Sequence, residues 1–238
     1  MIQPTLLVTR PHSDAERFVR AVETKLGRQV PHVIAPLLKI VPLDPQLPPC
    51  SGLVLTSRHG AKAAARLGLS RSLPAYCVGT ATAAAAEEAG FKATGLGGTA
   101  DALVEALLGD PPEGPLLHLH GVQTRGNVAA RLTAGGINTA DREVYEQAQC
   151  PPSRAAVALL KGSDPVVAPV FSPRSARLLA HMLPPGSAPV IVAISPAAAA
   201  IFGGRKLSVW TADRPDLASM INLTARQLAT PDQSRGSA

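Results

Sequence analysis

Gly52-Leu53-Val54-Leu55-Thr56-Ser57-Arg58-His59-Gly60 is echoed by Ala168-Pro169-Val170-Phe171-Ser172-Pro173-Arg174-Ser175-Ala176. In each, a short apolar run, read as a buried strand, meets a serine and then an Ala-rich helix. Two further pairs follow, the second of them at the same spacing. Leu116-Leu117-His118-Leu119-His120-Gly121 repeats the sense of Leu6-Leu7-Val8-Thr9-Arg10, and Tyr76 to Thr82 is answered by Ile191 to Ala197. One α/β unit is written twice. Strands alternating with helices give parallel sheets covered by helices on both faces. Ligands in such sheets bind beyond the carboxyl ends of the strands. Thr56, Ser57, Gly79, Thr80, Gly121, Ser172 and Ser195 all fall there, so two like halves facing each other would line a cleft with hydroxyls, glycines and helix starts.

Composition narrows the function classes. The chain has 238 residues, enough for two small domains or one large one. It is 46% hydrophobic but only 3% aromatic, so its core must be Ala, Val, Leu and Ile, as suits parallel sheet. The formal net charge of +6 favours anionic partners. The Lys and Arg are scattered without a basic run, and two Tyr, one Trp and four Phe leave little to stack on bases. A polyanionic small molecule fits better than nucleic acid. Neither GxGxxG nor GxxxxGK[ST] occurs, which argues against a nucleotide site.

Cys50, Cys77 and Cys150 are far apart and lack CxxC spacing, so reduced thiols and a cytoplasmic location are expected. Met1-Ile2-Gln3-Pro4 has neither a basic nor a long apolar region, so no signal peptide is expected. No apolar run approaches the ~20 residues of a membrane span. Residues 231–238 read as a flexible tail.

Along the chain, Leu6–Thr9 reads as a strand. Ser13-Asp14-Ala15-Glu16 reads as a capping box opening a helix with Phe18, Val19, Val22 and Leu26 on one face, closed by Gly27. Val30–Val41, interrupted by Pro31 and Pro36, reads as an edge strand passing into a crossover. Pro111-Pro112-Glu113-Gly114-Pro115 separates the copies. Ser195-Pro196 is an N-cap with Pro at the first helical position, and Leu207–Trp210 is a last strand before a helix from Pro215 to about Leu228.

The strand-to-helix junctions carry the chemistry. A helix start offers free N–H groups and partial positive charge to a carboxylate or phosphate. Singly, each Ser or Thr there reads as an N-cap; five at one topological edge read as a site for a multi-anionic ligand. Arg10 and Arg125 follow the first strand of each copy, placed either to fork onto a carboxylate or to remain surface charges. Tyr145, on an extended stretch, either donates a proton to a leaving hydroxyl or packs at a domain seam. His118 and His120 share a face of a strand, but no Asp, Glu or Cys near them in sequence supplies a third ligand, so no metal is expected. No nucleophile elbow or Ser-His-Asp order appears, and Glu87-Glu88 read as a solvated helix face.

Taken together, Leu6–Pro11, Gly52–Gly60, Val78–Ala83, Glu143-Val144-Tyr145-Glu146 and Val170–Ala176 resemble, in order and spacing, the uroporphyrinogen-III synthase family over about residues 5–228. The resemblance implies an α/β protein with two similar domains of parallel sheet flanked by helices (flavodoxin-like halves), joined by a two-stranded β ladder. The domains implied are 1–37 with 150–230, and 38–149, with the active site in the cleft between them. It implies an enzyme without cofactor or metal that closes hydroxymethylbilane into uroporphyrinogen III, inverting the last pyrrole ring and losing water. The substrate carries eight carboxylates.

On the same resemblance, Tyr145 helps expel the hydroxyl of ring A. The azafulvene so formed is attacked at the substituted position of ring D, giving a spiro intermediate that fragments and recloses. Thr56, Ser57, Thr82 and Ser172 fall on the family's hydroxyl positions. Arg10, Thr80, Gly121, Arg125 and Ser175 join them as candidate substrate contacts.

Two positions depart from the family. Ser195-Pro196-Ala197-Ala198 stands where Gly-x-Thr is frequent, with Ser195 as the replacement. His120 stands where Arg is frequent before Gly, and is expected to meet a carboxylate in a pH-dependent way. A monomer is expected, acting on a small molecule without nucleic acid or membrane. The competing reading is a non-catalytic two-lobed binding protein for an anionic metabolite.

Overall fold

A computed structural model of the chain describes residues 3–124 and 126–229. Arg125 and the tail 231–238 therefore lie outside the described residues. In chain order the first elements are β1 (Thr5–Val8), α1 (His12–Leu26), β2 (His32–Ile34) and β3 (Leu38–Pro42). Next come β4 (Gly52–Leu55), α2 (Arg58–Arg66), β5 (Pro74–Cys77), α3 (Thr80–Glu88), β6 (Lys92–Gly95) and α4 (Ala100–Gly109). The second copy holds β7 (Leu116–Gly121), α5 (Val128–Ala134), β8 (Thr139–Gln149), α6 (Arg154–Lys161), β9 (Val166–Val170) and α7 (Pro173–Met182). β10 (Val190–Ala193), α8 (Pro196–Ala199), β11 (Val209–Thr211) and α9 (Leu217–Ala229) complete it.

The strands form two sheets, one of five in the order β2-β1-β9-β10-β11 and one of six in the order β3-β8-β7-β4-β5-β6. In order of appearance the first is 2-1-3-4-5, the flavodoxin-like winding. Matching strands by the sequence repeat, β8-β7-β4-β5-β6 has the same order. Each sheet thus takes its first two strands from one sequence copy and its last three from the other. The chain divides accordingly into two compact units, one up to Lys39 and from Gln149 onward, the other Ile40–Ala148. β3 and β8 are hydrogen-bonded neighbours in the six-stranded sheet and contain both points of division.

Each sheet is covered on both faces by apolar side chains. In the second unit Leu53, Leu55, Leu117 and Leu119 face α2 and α3, while Val54, Leu103, Leu107 and Leu132 pack on the other side. In the first, Leu7, Ala168, Val170 and Ile191 face α7, and Leu6 and Val8 pack with Phe18 of α1 and Met220 of α9. All four leucines of the second unit's inner row are fully buried, and truncating any one to Ala would cost about 2–5 kcal/mol.

The helix at the amino end starts differently from its sequence pattern. α1 begins at His12 after Pro11, with no side-chain cap. Asp14, read as part of a capping box, is instead buried and paired with Arg17 and, at 3.5 Å, with Arg10. The extended run Val30–Val41 divides at Pro36 into two strands, β2 at the edge of one sheet and β3 at the edge of the other. β6 had no apolar alternation to announce it: Lys92, Thr94 and Gly95 are exposed along an edge. Pro169 sits in a central strand. The β1–β9 pairing ends at Leu6↔Val167, two residues before the proline, which has no N–H to give.

Candidate active site

In the six-stranded sheet the switch point lies between β4 and β7, since the chain leaves β4 for β5 on one side and β7 stands on the other. Pairing runs through Leu55↔Leu119, leaving Ser57 and Gly121 two residues beyond it. Ser57 caps α2, its hydroxyl accepting from the Gly60 N–H at 3.0 Å. Gly60 lets the helix start against β7: a Cβ there would lie 2.8 Å from the Leu119 carbonyl oxygen. The same Ser57 hydroxyl shares a 2.9 Å hydrogen bond with the Tyr145 phenol, which also accepts from the Gly121 backbone N–H.

A β-bulge brings Tyr145 there. β8 pairs with β7 residue by residue through His120↔Glu143, then skips Val144 so that Gly121 opposes Tyr145. Regular alternation would have placed Val144 against Gly121 and turned the phenol to the other face. Val144 and Tyr145 are accordingly both buried although adjacent. The ring lies so close over Gly121 that a Cβ there would be 2.5 Å from Cε2 and 3.0 Å from the phenol oxygen. His59, in the first turn of α2, contacts the same ring with centroids 5.4 Å apart. Burial raises the Tyr145 pKa above the ordinary tyrosine value, against the opposing pull of Ser57 and the Gly121 N–H. The phenol is protonated at neutral pH.

On the opposite face of the same strands runs a second polar cluster. Thr56 Oγ1 is 3.1 Å from His118 Nε2. His118 stacks at a tilt on His120, 4.8 Å between centroids. His120, 5% exposed, has Nδ1 at 2.9 Å from the Gly121 carbonyl oxygen and Nε2 at 3.1 Å from Asp141 Oδ2. Burial, with the neighbouring His120 adding to it, lowers the His118 pKa to about 4. His120 was expected to meet a substrate carboxylate; in the structure both its nitrogens are engaged within the chain, and the carboxylate it meets is Asp141. Asp141 also corrects the expectation that no acid stands near the two histidines, because β8 supplies it in register with His118. No cluster of three or more metal-ligating side chains occurs among the described residues.

The switch point of the five-stranded sheet lies between β1 and β9. Arg10 follows β1, with its guanidinium carbon 4.0 Å above the centre of the Phe171 ring and its Nη2 3.5 Å from Asp14. Ser172 caps α7 in a closed box: it accepts from the Ser175 N–H at 3.0 Å, while the Ser175 hydroxyl accepts from the Ser172 N–H at 3.1 Å. Ser175 is buried in that box. Ser195 spends its hydroxyl on the Ala198 N–H, 3.4 Å away.

The remaining candidates lie at the start of α3. Gly79 caps it without a side-chain bond, Thr80 is exposed and Thr82 is buried. Gly79 packs on Gly98, where a Cβ at Gly79 would come 3.3 Å from Cα. The structure thus brings Ser57, Gly121 and Tyr145 together, sets Thr56 and His120 on the opposite face, and leaves Thr80 and Thr82 at a neighbouring helix start. Sequence reasoning missed Asp141, His59 and the bulge. His59 stood inside the repeated motif and could have been found; Asp141 depends on strand register.

A fold and a set of hydroxyls do not name a reaction, but comparison with known proteins does. The family model described as uroporphyrinogen-III synthase HemD (HEM4) matches residues 20–222. The chain belongs to the uroporphyrinogen-III synthase family. It is an enzyme of tetrapyrrole biosynthesis, and the reaction of the family is the closure of hydroxymethylbilane to uroporphyrinogen III.

Among solved structures, the chain is similar to uroporphyrinogen-III synthetase from Helicobacter pylori, with 16% identity, TM-score 0.67, and coverage of 94% of this chain and 99% of that one. A mutant uroporphyrinogen III synthase from the extremely thermophilic bacterium Thermus thermophilus matches at 16% identity over 94% and 98% of the two chains, with TM-score 0.48. The likeness in fold rests on the first. No curated protein sequence matches the chain. Nothing in these comparisons supports the alternative of a non-catalytic binding protein. No helix among the described residues is long and apolar enough to cross a membrane.

Proposed function

We propose that Tyr145 is the proton donor that releases the hydroxyl of ring A, and that the carboxyl edges of the sheets hold the substrate's carboxylates. The observation that supports this is a phenol kept protonated by burial and fixed between Ser57 and the Gly121 N–H at a sheet switch point. The pyrrole nitrogen of ring A pushes out the hydroxyl, which leaves as water with the phenol's proton. The two groups bonded to the phenol oxygen then favour the phenolate that remains. The azafulvene is attacked by the substituted carbon of ring D.

The carboxylates of this substrate suit the N–H groups at the starts of α2, α3 and α7 and the guanidinium of Arg10. Thr56, Thr80, Thr82, Ser172, Ser175, Ser195 and Arg125 complete the proposed contacts. Because the linear substrate closes by itself to the wrong isomer, the enzyme's main task is holding it in the shape that closes correctly. A cytoplasmic monomer fits the cysteine content and the scattering of the exposed large apolar side chains Leu108, Val122, Trp210 and Leu217 over separate elements.

The test is incubation with fresh hydroxymethylbilane, then oxidation and isomer separation. The type III isomer is expected; type I alone would contradict the proposal.

A further inference from the structure

We infer that Asp141 and His120 are positioning residues that hold Gly121 against the Tyr145 phenol. This rests on the reading of Tyr145 above. The two groups facing His120 are a carbonyl oxygen, Gly121 at 2.9 Å, and a carboxylate oxygen, Asp141 at 3.1 Å. Both only accept hydrogen bonds. Held at both nitrogens, the ring ties Gly121 on β7 to Asp141 on β8.

The bonds clamp β7 to β8 just before the bulge. Gly121 is held through its carbonyl by His120, and its N–H meets the phenol. Asp141 and Tyr145 ride on the same strand, on the two sides of the skipped Val144.

The charged and titratable groups around His120, among the described residues, are Asp141 and Glu143 on β8 and His118 on β7. α5, packed on β7, carries Arg131, whose guanidinium is on Asp101 of α4. β4 brings the neutral Thr56. Losing the Asp141 bond would free the ring to turn away from the Gly121 carbonyl and loosen the clamp, and formation of the type III isomer would slow.

The experiment is steady-state type III formation, read as kcat and KM, for wild type, Asp141→Asn, Asp141→Glu, Tyr145→Phe and the Tyr145→Phe/Asp141→Asn double variant. Asp141→Asn should lose about fivefold in kcat, the worth of one hydrogen bond, with KM unchanged, and Asp141→Glu should restore it. Because Asp141 is exposed, the thermal midpoint should hold. In the Tyr145→Phe background the substitution should cost nothing more.

An unchanged kcat in Asp141→Asn, no recovery in Asp141→Glu, or the same loss in the Tyr145→Phe background would overturn this inference alone. A Tyr145→Phe protein as fast as wild type would overturn it together with the reading of Tyr145.

Discussion

Arg10 and His120 stand three residues beyond the buried leucines Leu7 and Leu117, at matching ends of matching strands. Each is paired with an aspartate, Asp14 in one unit and Asp141 in the other. The guanidinium keeps its charge at any working pH and rests on Phe171, a contact worth about 0.5–2 kcal/mol. The imidazole rests on a second histidine and meets the Gly121 carbonyl. One place later, Pro11 in the first unit answers Gly121 in the second. The two serines differ as well: Ser172 closes a box with Ser175, whereas Ser57 caps its helix and also bonds the phenol. The repeat therefore preserves a scaffold while one edge carries a guanidinium and the other a phenol and two imidazoles.

The largest break in this comparison should come from Gly121→Ala. The methyl would have to occupy the place of the Tyr145 ring, so turnover should fall about 100-fold or more, with a loss of about 1–3 kcal/mol in stability. Isomer-resolved kinetics and denaturant titration measure both. Wild-type kinetics would mean that the phenol is not where the reaction needs it.

Replacing His118 by the valine of its counterpart, Val8, sharpens the contrast in acid. His118 has a pKa of about 4 against an ordinary 6.5, so the unfolded chain binds the extra proton between those values. Stability present above pH 6.5 is therefore lost as pH falls through about 4, by about 2–4 kcal/mol. In His118→Val this part of the acid loss should vanish from unfolding curves measured across that range. An unchanged acid limb would count against the histidine being buried and neutral.

The smallest effect separates the two serines. Ser57→Ala and Ser172→Ala should each cost about 1 kcal/mol as lost caps. Ser57→Ala should lower turnover further, by about fivefold relative to Ser172→Ala, since it alone also removes a bond to Tyr145. Equal kinetic effects would erase the distinction drawn between the edges.

The strand-to-helix order, the parallel sheets and the junction hydroxyls were legible because apolar runs, N-cap serines and a repeated strand-to-helix motif act locally. What was not legible is set by pairing. Asp141 lies 21 residues from His120 and meets it only through the β7–β8 register. The bulge at Val144 leaves no mark in sequence, yet it decides which face Tyr145 takes. Ser13 and Glu16 looked like a capping box, but Pro11 starts the helix two residues earlier and Asp14 turns to Arg17 and Arg10. Pro169, which argues against a central strand, is tolerated where the pairing with β1 has already stopped.

The central claim is that Tyr145 assists a closure governed mainly by how the substrate is held. Single-turnover isomer analysis of Tyr145→Phe measures it most directly. Type III should still form faster than the spontaneous type I product, but about 10–100-fold more slowly than with wild type. Wild-type speed, or complete loss of type III in a folded protein, would contradict the claim.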